Sequence, residues 1–177
     1  MTAYIILFRG VGGATQLPVK PLREALTAAG FKDVATYINS GNALLSSRKS
    51  AASVMADVAK ITKKEFGFDK DIHVVSREDW ARVIDKNPFP KAVETPKFLH
   101  AAWLGEARAK EKVEALRAFA KGDEAIEVVG RVCYLHTPEG FGTSKLAEKF
   151  DKGIGVPNTA RNWNTVIALA KLAEAIG

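Results

Sequence analysis

Val34-Ala35-Thr36-Tyr37-Ile38, then Asn39-Ser40-Gly41-Asn42, then Ala43-Leu44-Leu45-Ser46 is the stretch whose reading decides the fold. The flanks are β-branched, aromatic and apolar, as half-buried strands require. The four residues between them are turn formers, because Gly and Asn tolerate positive φ and Asn and Ser bond to nearby backbone. The stretch therefore reads as a hairpin with strands at 34–38 and 43–46. Before it, Leu22, Ala25, Leu26 and Ala29 recur at helical spacing and Gly30 stops the helix. Before that, Tyr4-Ile5-Ile6-Leu7-Phe8 is a continuous apolar run of strand length, read as a central strand. After the hairpin, Ser50 or Ser53 caps a helix with Val54, Val58 and Ile61 on one stripe, ended near Gly67. Ile72 to Val75 is the next strand. The order βαββαβ is the split βαβ, or ferredoxin-like, pattern.

The second half repeats the plan. A short helix runs from Ser76 through Trp80, Val83 and Ile84 to Asn87, completing a first subdomain over 1–87. The proline-bearing, aperiodic stretch 88–97 reads as a linker. In 98–177 the spacing predicts a strand at Phe98–Leu104 and a helix stripe of Ala109, Val113, Leu116 and Ala120. Strands at Ala125–Val129 and Val132–His136 follow, joined by a tight turn at Gly130-Arg131. A short helix then starts at Thr143 or Ser144, and a last helix covers about Ala160 to Ala175. This half reads as βαββαα, with no fourth strand. The fold class is α+β: two βαββα-type subdomains with mixed or antiparallel sheets and helices packed on them. The matching order suggests a duplication, although the residues of the two halves do not align.

Composition narrows the function classes. The chain has 177 residues, 47% hydrophobic and 26% charged, enough for a sizeable core and ordinary for a globular protein. It contains no apolar run of the roughly 20 residues a membrane helix needs and no secretory signal, so a cytoplasmic protein without a membrane partner is expected. The single cysteine, Cys133, excludes a disulfide framework and reads as a small buried hydrophobe. The net charge of +6 divides into +4 for residues 1–88 and +2 for residues 89–177. The densest basic stretch, Lys60, Lys63 and Lys64, falls on the outer face of a helix, where a solvated surface is the simpler reading.

Three segments have residue types suited to an anion. The loop with Gly10, Gly12 and Gly13 follows the first strand and precedes a helix, but its spacing is not a dinucleotide fingerprint. Gly140-Phe141-Gly142-Thr143-Ser144-Lys145 loosely resembles a phosphate loop with the Lys and hydroxyl in the wrong order, so capping by Thr143 or Ser144 is the simpler role. The third is the expected helix start Ala160-Arg161-Asn162-Trp163-Asn164-Thr165. There Trp163, Val166, Ile167 and Ala170 share one face, with Arg161, Asn164 and Thr165 opposite. His73, His100 and His136 all fall on strands, and their spacing does not demand a metal site. No carboxylate pair or nucleophile–base pair stands out, so the catalytic residues are unknown and no cofactor or metal is expected.

Taken together, Leu7-Phe8-Arg9-Gly10 with the Gly12-Gly13 loop, Thr36 to Asn42, and Thr159 to Val166 resemble the bacterial domain-of-unknown-function family 1697, from Tyr4 to about Leu172. The resemblance implies an α+β fold with ferredoxin-like subdomains and no established activity. The matched positions that it offers as a binding site are Arg9, Gly13, Asn39, Ser40, Asn42, Ser144, Lys145, Arg161, Asn162 and Asn164. The first loop is shorter than is usual in the family and lacks its lysines, which weakens an anion role there. The resulting expectation is a polar pocket for a small anionic or phosphate-bearing ligand, charged by Arg161 and Lys145. A nucleic-acid binder, motivated by the basic charge, and an enzyme using the same pocket are the alternatives. Ligand identity and oligomeric state are not legible.

Overall fold

Tyr4, Ile6 and Phe8 alternate with Ala3, Ile5 and Leu7 along β1 (Thr2–Phe8), and all six are buried. A strand buried on both faces belongs in the middle of its sheet. In the computed structural model, which describes residues 1–38, 41–107 and 110–177, β1 lies between β3 (Asn42–Ser47) and β4 (Ile72–Ser76), antiparallel to both. β2 (Lys32–Thr36) completes the sheet order β2-β3-β1-β4. β2 begins and ends two residues earlier than the alternation suggests, with an irregularity between Lys32 and Ala35 where Asp33 adopts a φ of 52°. Helices α1 (Val19–Ala28) and α2 (Ala51–Phe66) bury Leu22, Leu26, Val54 and Val58 against the face bearing Tyr4, Ile6 and Phe8. On α2 the third buried position is Thr62 rather than Ile61, because 62 continues the step of four from Val58. Its hydroxyl donates back to the Val58 carbonyl at 2.9 Å, which satisfies the one polar atom on that stripe.

The second sheet has the same topology. β5 (Leu99–Leu104) lies between β7 (Val132–His136) and β8 (Asn158–Asn162), with β6 (Ala125–Val129) outermost, in the order β6-β7-β5-β8. α4 (Lys110–Arg117) and α5 (Lys145–Ile154) bury Val113, Leu116, Leu146, Phe150 and Ile154 against Ala102, Leu104, Ile126, Cys133 and Leu135. The expected Ala109 of the α4 stripe lies outside the described residues. The expectation of a second half without a fourth strand is corrected by β8. Asn-Thr-Ala-Arg-Asn places only Ala160 against the apolar core, so the segment has no apolar alternation to read, and β5 supplies its partner through Ala102↔Ala160. The last helix accordingly starts at Trp163, not Ala160.

Each half is thus βαββαβα. β4 passes directly into α3 (Arg77–Asp85), and β8 directly into α6 (Trp163–Glu174). The two junctions match by register: Ser76 stands opposite Tyr4, and Asn162 opposite His100. Both are also capped alike. The Asp79 N–H donates to the Ser76 hydroxyl at 3.1 Å, and the Thr165 N–H donates to the Asn162 side-chain oxygen at 3.1 Å. The chain forms two compact units, residues 1–81 with 168–177, and residues 82–167, so the divisions fall inside α3 and α6. The 88–97 stretch read as a linker lies within the second unit, where Pro90–Glu94 and Pro96–Phe98 form short 3-10 helices and Ala92 is buried.

The second unit also contains a buried tie. The Tyr134 hydroxyl donates to the Val83 carbonyl at 2.6 Å. Val83 is in the last turn of α3, where carbonyls lack a helical donor. Tyr134→Phe leaves that carbonyl without the tyrosine donor, so the denaturant midpoint should fall by the equivalent of about 1–3 kcal/mol with an unchanged slope. A Tyr134→Phe variant as stable as the parent would show that the tie is dispensable.

Candidate functional site

The sequence-derived site residues divide between the two units. Arg9, Gly13 and Asn42 belong to the first, and Ser144, Lys145, Arg161, Asn162 and Asn164 to the second. Asn39 and Ser40 lie outside the described residues.

In the first unit most of the polar groups serve the fold. The glycine loop closes on itself: Gly12 N–H donates to the Thr15 carbonyl at 2.6 Å, and Thr15 N–H donates to the Gly12 carbonyl at 3.0 Å. Gln16 Nε2 donates to the Gly13 carbonyl at 2.6 Å. Asn42 is buried in β3, where its amide donates to the Tyr37 carbonyl at 3.3 Å and its own carbonyl accepts from Tyr37 N–H at 3.1 Å. It closes the hairpin. Gly41 has φ +75°, and its carbonyl accepts from Phe8 N–H at 2.8 Å. A Cβ at Gly41 would meet Val11 Cγ2 at 2.7 Å, so only glycine brings the turn this close to the end of β1. That contact places the turn beside Arg9, which is partly buried.

In the second unit strand alternation separates residues that a helix would have grouped differently. Arg161 stands opposite Ala101, and Asn162 opposite His100, so their side chains emerge on opposite faces of the sheet. The expected shared helical face for Arg161, Asn164 and Thr165 does not exist, because Arg161 is in a strand. Asn164 is exposed on the first turn of α6. Ser144 is the N-cap of α5, its hydroxyl accepting from Ala147 N–H at 3.1 Å, and Lys145 Nζ pairs with Glu148 at 3.3 Å. The Gly140–Lys145 segment is therefore a capped helix start.

Arg161 is partly buried. Its guanidinium donates through Nη1 to the Thr159 hydroxyl at 2.6 Å and to the Ala160 carbonyl at 2.8 Å. Burial lowers its pKa to about 10, since removing water penalises the charged form. A second feature lies on the other face of the sheet. The imidazole of His100 stacks on Phe141 with ring centres 4.0 Å apart and 28° between planes. Among the described residues, His100 Nδ1 and the hydroxyl of Thr137 are both buried with no hydrogen-bond partner. The available signal was phase: Thr137 continues the Cys133, Leu135 alternation beyond the end of β7. Among the described residues, no group of three or more His, Cys, Asp and Glu is placed to hold a metal ion.

With this geometry in view, the comparisons identify the lineage. The chain belongs to the family of proteins of unknown function DUF1697, whose model matches residues 1–134. In structure it is similar to a conserved bacterial protein, SP0830 from Streptococcus pneumoniae, with a TM-score of 0.75 and 22% identity over 97% of this chain and 98% of that one. That likeness establishes the shared α+β fold of two ferredoxin-like halves. No curated protein matches the chain. No helix among the described residues is long and apolar enough to cross a membrane.

Burial lowers the His100 pKa from 6.5 to about 4, so the folded protein holds the ring neutral where the unfolded chain protonates it. The folded value is the lower one, so the stability from this group is complete above pH 6.5 and is lost as pH falls toward 4. The loss should total at most about 3 kcal/mol. His100→Phe should flatten that part of the stability profile measured by denaturant titration at successive pH values. An identical acid slope in the variant would assign the loss to other groups.

Proposed function

We propose that the protein binds a small anionic or phosphate-bearing molecule at the junction of β8 and α6, with Arg161 as its principal charge. The observation that carries this reading is a contrast between the matched helix starts. The first turn of α3 contains Glu78 and Asp79, whereas the first turn of α6 contains no acid and is preceded by Arg161. A helix N-terminus presents about half a positive charge and several N–H groups without helical acceptors. At α3 two carboxylates complement that charge. At α6 no carboxylate does so, and burial disfavours the charged form of the Arg161 guanidinium one residue before the cap. An anion bound at this helix start would complement its positive end, which is the physical basis of anion sites at helix starts. Asn164, exposed on the first turn, supplies a side-chain amide for orientation.

The basic net charge also invites nucleic acid as a partner, but Tyr4, Phe8 and Tyr134 on the strands are buried, and the half-buried Trp103 ring is covered by the Arg131 guanidinium at 5.2 Å. A reducing, cytoplasmic compartment suits the lone cysteine: Cys133 is buried, and burial pushes its thiol up to about 12.

Inorganic phosphate, pyrophosphate and sulfate should raise the melting temperature of the native protein in a thermal-shift titration, and Arg161→Met should remove at least tenfold of the apparent affinity. A native protein indifferent to all three anions at millimolar concentration contradicts the proposal. Equal responses of the native and Arg161→Met proteins would move the site elsewhere.

A further inference from the structure

β6 is the outermost strand of the second sheet, and among the described residues no strand pairs with its outer edge. Its residues Ala-Ile-Glu-Val-Val include no Pro, Gly or Lys, and they keep an unbroken register against β7 from Ala125↔His136 to Val129↔Val132. The two-residue turn Gly130-Arg131 joins the strands, so Val129 and Val132 form the hydrogen-bonded pair that closes it. Alternation then turns the backbone groups of Ala125 and Glu127 toward β7 and points those of Ile126 and Val128 outward. A regular, β-branched edge of this kind is a template for another strand.

The matched edge in the first unit is spoiled by its own backbone. β2 carries Lys32 and a register shift between Lys32 and Ala35, with Asp33 at a φ of 52°. Charge and irregularity are ways in which edge strands turn away extra partners. β6 has no such break and has Arg117 instead. Arg117 is the last residue of α4, and α4 packs on the sheet face that bears Ile126 and Val128. Glu127 leaves from the opposite face, in register with Tyr134. Yet Arg117 Nη2 meets Glu127 Oε2 at 2.7 Å, its Nε donates to the Ile126 carbonyl at 3.4 Å, and its Nη1 pairs with Glu114 on the same helix. β7 closes the inner edge of β6, so the Arg117 side chain passes from one face to the other around the outer edge. It lies across a carbonyl that an added strand would use.

We infer that Arg117 is a clasp that keeps the outer edge of β6 from pairing with a second copy of this chain. The unclasped edge is self-complementary. In an antiparallel pair centred on Glu127, Ile126 of each copy stands opposite Val128 of the other, and each such pair exchanges both of its backbone hydrogen bonds. The Ile–Val contacts continue the apolar face on the α4–α5 side. Glu127 then faces its own counterpart, and like charges directly opposite resist pairing. Arg117 thus blocks the edge, and the carboxylate that it holds there is a second barrier. The clasp is independent of the anion reading, since β8 forms the opposite edge of the sheet.

The test compares the native protein with an Arg117→Ala, Glu127→Thr variant, by sedimentation velocity up to millimolar concentration and by amide hydrogen exchange. The two side chains are 37% and 45% exposed, so replacing this surface pair leaves the fold intact. In the native protein the Ile126 and Val128 amides should exchange fast. The variant should self-associate one step beyond the native protein, and both amides should slow at least tenfold where it does so. Val128→Pro added to the variant removes an outward N–H and spares the β6–β7 ladder, and it should return the variant to the native state of association. The inference is overturned if the variant associates no further than the native protein, or if it associates while both amides still exchange fast. Slow exchange of these amides in the native protein overturns it, and so does association that Val128→Pro leaves unchanged.

Discussion

A strand that turns into a helix with no intervening loop depends on one side chain to cap the first turn. Ser76 does this for α3 and Asn162 for α6, each receiving the N–H of the residue three further on. Two junctions of the molecule are built this way. They turn each βαββαβ sheet into βαββαβα, and they begin the two helices within which the divisions between the compact units fall. They also fix the phase at which side chains leave the sheet. Because Asn162 caps while opposite His100, Arg161 must emerge on the other face, opposite Ala101.

The same junctions show how two copies of one topology diverge chemically. At Ser76 the hydroxyl also donates to Asp79 at 2.9 Å, a self-contained polar pair at the helix start. At Asn162 the cap remains, but Thr165 replaces the acid and a guanidinium stands one residue before the cap. The sheet ends differ in parallel. Tyr4 ties down a short connection with a hydrogen bond, whereas His100 lies under a longer loop with its ring stacked on Phe141. In both comparisons the two units place different chemistry at the same position of one topology.

Much of this architecture was legible where burial imposes a period. Tyr4 to Phe8 was readable as a central strand because both of its faces are buried, and Val54 and Val58 because one helical stripe meets the sheet. Ser144 was readable as a cap from residue type alone. β8 was not, because a short edge strand held by backbone pairing to β5 needs no apolar alternation, and Asn-Thr-Ala-Arg-Asn has none. The error carried into the site. Reading Ala160–Thr165 as one helical turn grouped Arg161 with Asn164, whereas the strand sets Arg161 and Asn162 on opposite faces. The resemblance marked Arg161 and Asn162 but had no means of separating them. The relation of His100 to Thr137 and Phe141 is not legible in the sequence, since it depends on strand register and loop path.

The central proposal is an anion site at the β8–α6 junction, where the helix start has no carboxylate and Arg161 precedes the cap. The most direct measurement is a titration of the isotope-labelled protein with pyrophosphate, followed by backbone amide resonances. Saturable shifts concentrated at residues 161–165, with the matched residues 75–79 still, are the predicted result. Shifts that do not saturate, or that centre on the glycine loop at 10–16 instead, would contradict it.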